Sequence, residues 1–283
     1  MYRRILPIVF SARRRPDRIH GDIFRCARCG LVYPRSLIDT AELSRLYRTS
    51  AYTYAEQEKA IGAVYKRYLR RLIPLLAEQP RPLSYLDIGC GNGFMLAAAR
   101  QTGFDDVYGV EPSSHAVLQA DPSVRDRITE GMFSAELLRQ KRFDAISCFQ
   151  TLDHIPDPLR FLQDCFSVLK PGGAVLFINH NISSLFARML GERCPMIDIE
   201  HTYLHTKQTM RMLFERSGFT DVRTFSVRND YPVSYWLHLL PCPASLKNFL
   251  HRTVSFLHAD RLIIPLYAGN LGLIARKPAE PSS

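Results

Sequence analysis

Apolar strand-like segments alternate with helix-like segments over much of the chain, and this alternation restricts the fold more than any other feature of the sequence. The strand-like segments are SYLDI, DVYGV, RITE, FDAISCFQ and AVLFINH, at 84–88, 106–110, 127–130, 143–150 and 174–180. Helical patterns fill the intervals, at 95–102, 113–120, 135–140 and 158–169. This spacing predicts a parallel sheet with helices on both faces, and a ligand site at the carboxyl ends of its strands.

Further elements flank this alternation. Helices are predicted at 55–76 and 206–217, and strands at 221–228 and 270–275. The turn residues KPGG, at 170–173, predict a break in the chain before the fifth strand. The segment 231–266 is longer than a hairpin between the last two strands requires, so an insertion is predicted there.

The first predicted strand runs into a glycine-rich turn, SYLDIGCGNGFM, with glycines at 89, 91 and 93. A dinucleotide-binding turn of the G-x-G-x-x-G type would need a glycine where Phe94 stands. Asp87 precedes the glycines, and its carboxylate would repel a pyrophosphate and attract an ammonium group. The turn therefore indicates a ligand with a positively charged end.

Four motifs follow one another along the chain: LDIGCGNG, GVEPS, FDAISCFQTLDHIPDP and LKPGGAVLF. Their order and spacing resemble those of the class I S-adenosylmethionine-dependent methyltransferases over residues 83 to 228. The resemblance implies an α/β, Rossmann-like fold with a seven-stranded, mostly parallel sheet, helices on both faces and an antiparallel last strand. It also implies S-adenosylmethionine as the cofactor.

The resemblance gives the glycine turn and two carboxylates a role in cofactor binding. Gly89, Gly91 and Gly93 would let the backbone approach the ligand closely. Asp87 would orient the turn and attract the methionine ammonium. Glu111, at the end of the second strand, suits a carboxylate that accepts hydrogen bonds from both ribose hydroxyls.

Two further pairs of residues complete the expected cofactor site. Met132 and Phe133, after the third strand, are expected to enclose the adenine ring, with core packing as the alternative. Gln150 and Thr151, at the tip of the fourth strand, are expected to line the sulfonium end. Dinucleotide binders place an acidic residue at a distance similar to that of Glu111, so Glu111 alone does not identify the cofactor.

Histidines are the candidates for a catalytic base. Methyl transfer from an activated sulfonium depends mainly on positioning, and a base contributes where the acceptor must lose a proton. His154, next to Asp153, is the first candidate, with helix capping as the alternative, and His180, His201 and His205 follow. The N-P-P-Y motif of amide and nucleobase N-methyltransferases is absent, which favours methylation at oxygen or at a sugar- or quinol-like carbon.

The sequence CARC, from Cys26 to Cys29, resembles the second knuckle of a zinc ribbon. Methyltransferases of bacterial sugar and cell-surface clusters carry a complete ribbon before the same core. A ribbon needs four ligands, and His20 offers a third at most, so no metal site is assigned. The seven cysteines are scattered and odd in number, which indicates a reducing compartment and a cytoplasmic location.

The net charge is +10, and six arginines fall within the first 18 residues. The basic start is either a solvated tail or an attachment to an anionic surface. An apolar stripe in the insertion, made of Leu246, Phe249, Leu250, Val254 and Leu257, is expected either to pack on the core or to touch a membrane. The expected partners are therefore a small-molecule, glycan or lipid-linked acceptor and, peripherally, the inner membrane surface. No nucleic acid is expected, because the basic residues cluster at one end and no readout motif occurs.

The predicted organisation has four parts. They are a basic segment with half a zinc knuckle at 1–50, a helical lead-in at 51–82, a cofactor-binding core at 83–230 plus 267–278, and a helical insertion or lid at 231–266. The predicted function is S-adenosylmethionine-dependent methyl transfer. Two alternatives stay open: a nicotinamide-dependent oxidoreductase, and a non-catalytic binding module on the same fold.

Overall fold

A seven-stranded sheet forms the centre of the computed structural model, which describes residues 20–35, 40–48, 58–198, 200–239 and 242–280. The arginine-rich start at 1–19 and the first residues of the predicted lead-in helix, 55–57, lie outside the described residues. The elements before the sheet are β1 (Ile23–Arg25), β2 (Val32–Pro34), α1 (Thr40–Arg48), α2 (Glu58–Leu69) and a 3-10 turn at Ile73–Leu76.

The first half of the core alternates strands and helices, as the sequence predicts. Its elements are β3 (Ser84–Ile88), α3 (Phe94–Arg100), β4 (Asp106–Glu111), α4 (Ser114–Leu118), α5 (Pro122–Arg125), β5 (Ile128–Glu130), β6 (Phe143–Phe149), a 3-10 turn at Leu152–His154, α6 (Pro158–Val168) and β7 (Leu169–His180). The second half contains α7 (Leu185–Leu190), a 3-10 turn at Gly191–Arg193, α8 (Lys207–Arg216), β8 (Thr220–Ser226), β9 (Asn229–Pro232), α9 (Val233–Leu239), α10 (Ala244–Phe256), β10 (Ile263–Leu266) and β11 (Asn270–Arg276).

The strand order in the sheet is β5-β4-β3-β6-β7-β11-β8. The first five strands run parallel, and β11 is antiparallel to both of its neighbours. The predicted Rossmann-like fold is thus confirmed. The chain crosses from one half of the sheet to the other between β3 and β6, and such a switch point opens a crevice at the carboxyl ends of the strands.

The predicted helix at 135–140 is wrong, because the structure has turns there. The Ser134 hydroxyl accepts a hydrogen bond from the Leu137 amide at 3.2 Å and begins a single turn. Arg139 then has a φ of +53°, which a right-handed helix does not permit.

The predicted break at KPGG is also wrong, because these residues belong to β7. Phe143 of β6 pairs with Leu169, whereas Ala145 pairs with Ala174, so the extra residues form a bulge within the strand. Gly172 adopts a φ of +73° in this bulge. Turn-type residues here bend a continuous strand instead of ending it.

Both faces of the sheet are buried. Along β7, Leu176 and Ile178 pack on the side of α2 and α3, and Phe177 packs on the side of α6 and α8. The Phe177 ring contacts Phe214 at a centroid distance of 4.9 Å, edge to face. A strand covered on both faces has a continuous apolar run, which explains why AVLFI lacks alternation.

The segment between β8 and β11 contains a two-stranded sheet and two helices. Strands β9 and β10 pair antiparallel, and α9 and α10 lie between them in the chain. Helix α10 packs against α9. Among the described residues, no helix combines the length and the apolar character that crossing a bilayer requires.

Phe177→Ala is expected to lower the free energy of unfolding by about 3–5 kcal/mol, because the side chain is fully buried against two neighbouring rings. Urea denaturation followed by circular dichroism measures this change. The control, Leu118→Ala, removes a side chain that is 71% exposed and should change stability by no more than about 0.5 kcal/mol. Equal stability of the two variants would contradict the two-sided packing.

Candidate functional site

A cavity of about 790 Å³ lies at the carboxyl ends of the parallel strands, where the strand order predicts a ligand site. Residues from the ends of β3, β4, β6 and β7 line it, together with residues of the insertion and with Pro195, Met196, Asp198, Glu200 and His201. The parallel sheet therefore brings together the loops that follow four different strands.

The glycine turn after β3 forms one wall of the cavity. Gly89, Gly91 and Gly93 have φ values of +74°, +57° and +77°, a region that other residues rarely adopt. A Cβ on Gly89 would lie 2.4 Å from the Thr151 hydroxyl oxygen, so the turn and the tip of β6 approach closely. Gly89 and Gly91 line the cavity, whereas Gly93 caps α3 and packs against Ile128.

Two buried carboxylates face this wall. Asp87 accepts a hydrogen bond from the Ser147 hydroxyl at 2.5 Å, and burial, aided by the nearby Glu111 carboxylate, raises its pKa to about 7. Glu111 accepts hydrogen bonds from the amides of Gly91 at 2.8 Å and Ser113 at 2.9 Å. Burial raises the pKa of Glu111 to about 6 despite these hydrogen bonds.

The four remaining residues of the predicted cofactor site also line the cavity. Met132 and Phe133 follow β5, and the Phe133 ring meets Phe161 edge to face at 5.3 Å. Gln150 has a φ of +53°, and its buried side-chain oxygen accepts no hydrogen bond from the described residues. Thr151 donates its hydroxyl hydrogen to the Phe149 carbonyl at 3.1 Å. The Gln150 side-chain oxygen, a buried acceptor without a partner among the described residues and next to a strained backbone, is a candidate contact for a ligand.

Asp153 and His180 form a hydrogen-bonded pair at the edge of the cavity. Asp153 is fully buried, and its Oδ2 accepts from both the backbone amide and the ring Nδ1 of His180, each at 2.9 Å. Burial alone would raise the pKa of Asp153, but the hydrogen bond from His180 and the neighbouring histidines lower it to about 2. The His180 side chain is 22% exposed and lines the cavity.

His154 lies in a different environment. Its Nδ1 is 2.8 Å from the hydroxyl of Tyr47, and burial lowers its pKa to about 4. The ring of His201 stands between the other two, with centroids 4.8 Å from His154 and 4.7 Å from His180. Burial also lowers the pKa of His201. The structure thus brings His154, His180 and His201 together beside Asp153, whereas the fourth candidate histidine, His205, is buried and does not line the cavity.

Several residues that line the cavity were not predicted from the sequence. Tyr47 and Glu200 flank His154, and Glu200 Oε2 lies 4.0 Å from its Nδ1. Tyr231, Tyr235 and Trp236 contribute aromatic side chains from the start of the insertion. The concentration of aromatic residues in YPVSYW could have predicted these three lining residues. The insertion lies at the edge of the sheet where the cavity opens.

The zinc-knuckle cysteines lie away from these residues. Cys26 and Cys29 occupy the turn between β1 and β2, where the Gly30 amide donates to the Cys26 carbonyl at 2.8 Å. Within the described ranges, which include His20, no group of three or more histidine, cysteine or acidic residues is arranged to hold a metal ion.

The lining of the cavity fits S-adenosylmethionine. Two buried carboxylates with raised pKa values have no cationic partner among the described residues, and an ammonium or sulfonium group would supply one. The unpaired Gln150 oxygen adds an acceptor, and Met132 and Phe133 add apolar surface beside them. A pyrophosphate, by contrast, would meet negative charge at the same wall.

The sequence matches the model of a methyltransferase-domain family over residues 57–224, more than half of the chain. A protein of Vibrio cholerae named ubiquinone biosynthesis O-methyltransferase is 35% identical over 179 residues, which cover 54% of this chain and 72% of the relative. The protein of the same name from Aliivibrio fischeri is 29% identical over 177 residues, which cover 54% and 75%.

Solved structures show the same fold at low sequence identity. An S-adenosylmethionine-dependent methyltransferase from Archaeoglobus fulgidus superposes with a TM-score of 0.53 at 20% identity, covering 79% of this chain and 99% of the other. An O-methyltransferase family protein from Burkholderia thailandensis gives a TM-score of 0.51 at 11% identity, covering 86% and 61%. These matches do not favour the nicotinamide-dependent alternative. The chain belongs to the methyltransferase-domain family and is an S-adenosylmethionine-dependent methyltransferase.

Proposed function

We propose that this enzyme methylates a hydroxyl oxygen of a small-molecule, glycan or lipid-linked acceptor, with His180 as the base. The observation that carries the proposal is the hydrogen bond from His180 Nδ1 to the buried Asp153 at the cavity edge. The relatives named O-methyltransferases support oxygen as the methylated atom.

The cofactor is assigned to the glycine-turn side of the cavity. Asp87 and Glu111 would attract its cationic end and accept its ribose hydroxyl hydrogens, while Met132 and Phe133 would enclose the adenine. Gln150 and Thr151 would face the sulfonium. When bound, S-adenosylmethionine supplies an electrophilic methyl group that needs no further activation.

The geometry favours His180 over His154 as the base. Asp153 holds the proton on Nδ1 of His180, which leaves Nε2 as the free acceptor. The buried carboxylate also stabilises the imidazolium that forms when Nε2 takes a proton. His154, in contrast, has its Nδ1 next to the Tyr47 hydroxyl and a pKa of about 4, so it is a weak base.

The reaction then requires two contributions from the protein. The aromatic wall formed by Tyr231, Tyr235 and Trp236 holds the acceptor, and the surrounding apolar lining excludes water. The acceptor hydroxyl would give its proton to Nε2 of His180, and its oxygen would take the methyl group as the carbon–sulfur bond of the cofactor breaks and S-adenosylhomocysteine leaves. Positioning supplies most of the acceleration, and the base adds to it.

The proposed division of the chain follows from these roles. Residues 83–230 and 267–278 bind the cofactor, with 51–82 as a helical lead-in. The segment 231–266 acts as a lid on the acceptor side, since Tyr231, Tyr235 and Trp236 from its first part already line the cavity. From the segment 1–50, Tyr47 also lines the cavity, next to His154.

His180→Ala is expected to lower the rate of methylation by about 10²–10⁴-fold while the affinity for S-adenosylhomocysteine stays unchanged. Phenols, catechols and sugars would first be screened with the wild-type enzyme for a mass gain of one methyl group. Asp153→Asn should reduce the rate in the same direction, because it no longer holds the proton on Nδ1. The exposed His115→Ala is the matched control. A larger loss with His154→Ala than with His180→Ala would return the role to His154.

Glu111→Ala is expected to weaken the binding of S-adenosylhomocysteine by about 1.5–3 kcal/mol, the usual range for hydrogen bonds to a charged group. Isothermal titration calorimetry measures this change. Glu130→Ala is the control, because Glu130 pairs with Glu111 across the neighbouring strand but is exposed. Unchanged affinity of the Glu111 variant would place the ribose contact elsewhere.

Affinity for S-adenosylhomocysteine is expected to fall as the pH is lowered from about 8 to about 5. Asp87 and Glu111 have pKa values of about 7 and about 6 in the free protein, and the ligand's ammonium and ribose hydroxyls favour the ionised forms of Asp87 and Glu111, respectively. Below these values binding must release protons, so each group weakens binding as the pH decreases further. Asp87→Asn should remove the upper part of this dependence. A flat profile in the wild type would show that neither carboxylate meets the ligand.

A further inference from the structure

The insertion exposes an unusual amount of apolar surface. Among the described residues, fifteen large apolar side chains are exposed, and nine of them lie between 246 and 267. The nine, here named the apolar surface, are Leu246, Phe249, Phe256, Leu257, Leu262, Ile263, Ile264, Leu266 and Tyr267. Single exposed apolar residues need no explanation, but a concentration of this kind marks an interaction site.

Helix α10 contributes the first part of the apolar surface. Leu246, Phe249 and Leu257 fall on one side of the helix by its 3.6-residue period, and Phe256 adjoins them. Phe249 is 64% exposed and Phe256 is 82% exposed. Of the predicted stripe, for which core packing and membrane contact were the alternatives, Leu246, Phe249 and Leu257 are open to solvent, and Leu250 and Val254 are half-buried.

Strand β10 joins the apolar surface to the mouth of the cavity. Leu266 pairs with Asn229 across the two-stranded sheet, so their side chains share a face. Both line the cavity, as does Tyr267, yet Leu266 and Tyr267 are 44% and 67% exposed. An object that covers the apolar surface would thus also border the entrance to the acceptor site.

The charge on this segment distinguishes between two kinds of partner. Lys247, Arg252 and Arg261 are basic, whereas Asp260 is the one acidic residue in the sequence from 242 to 267. A second copy of the chain would bring an equally basic surface into contact with this one. An anionic lipid surface attracts the same residues and accepts the apolar side chains between them.

We propose that α10 and β10 dock this enzyme on an anionic bilayer surface, with the mouth of the cavity next to the lipid. Phe249, Phe256 and Leu257 enter the interface, and Lys247 and Arg252 contact the headgroups. This docking does not depend on which acceptor is methylated or on which histidine is the base.

Vesicle co-sedimentation of the full chain tests the proposal, with vesicles of phosphatidylcholine alone or mixed with phosphatidylglycerol. The wild type is expected to bind the mixed vesicles, and binding should weaken as salt is added. The double variant Phe249→Ser/Phe256→Ser should bind the mixed vesicles at least about tenfold more weakly than the wild type, because it removes two large apolar anchors. Leu118→Ser, which changes an exposed apolar residue on α4, should bind as the wild type does.

Two further measurements separate docking from other effects. The double variant should keep its melting temperature and its affinity for S-adenosylhomocysteine, because both rings are exposed and lie outside the cavity lining. Lys247→Gln/Arg252→Gln should reduce binding to the mixed vesicles and leave binding to phosphatidylcholine alone unchanged.

Three outcomes would overturn the proposal. Wild-type protein that does not sediment with the mixed vesicles excludes the lipid surface as the partner. Undiminished binding of the double serine variant would assign vesicle binding to another part of the chain. A wild-type dimer in light scattering that the serine variant converts to a monomer, without any vesicle binding, would make the apolar surface an interface between copies.

Discussion

The buried carboxylate of Asp153 makes the contacts on which this edge of the cavity depends. Its Oδ2 accepts two hydrogen bonds from His180 at the end of β7, and its backbone carbonyl accepts from the amides of Thr202 and Tyr203. A buried carboxylate needs such hydrogen-bond partners, because burying an unpaired charge costs free energy of folding. One residue thus connects the turn after β6, the end of β7 and the segment that carries His201.

The carboxylates on the two sides of the cavity differ in a way that agrees with two tasks. Asp153 already has its partners, and its pKa is about 2, so it stays ionised beside His180. Asp87 and Glu111 are buried with no cation beside them in the part of the chain that the structure describes, and their pKa values rise to about 7 and about 6. The first arrangement is complete in the protein alone, whereas the second is completed by a cationic ligand.

The insertion contributes side chains both to the cavity lining and to the outer surface. Tyr231 and Trp236 line the cavity. The Trp236 ring nitrogen donates a hydrogen bond to the Ile264 carbonyl at 2.9 Å, which connects α9 to β10. The outward side chains of α10 and β10 form the apolar surface. Contact with a partner there would act directly on the strand pair that borders the cavity mouth.

The sequence by itself determined the parallel sheet, the glycine turn and the position of Glu111, because strand periodicity and left-handed backbone are properties of neighbouring residues. The predictions for KPGG and for the segment at 135–140 were wrong, because strand pairing and a single capped turn determine the structure there. Only the tertiary structure showed that His180 meets the buried Asp153 and that His154 meets Tyr47. These contacts join residues far apart in the chain, and no local pattern encodes the distances between them.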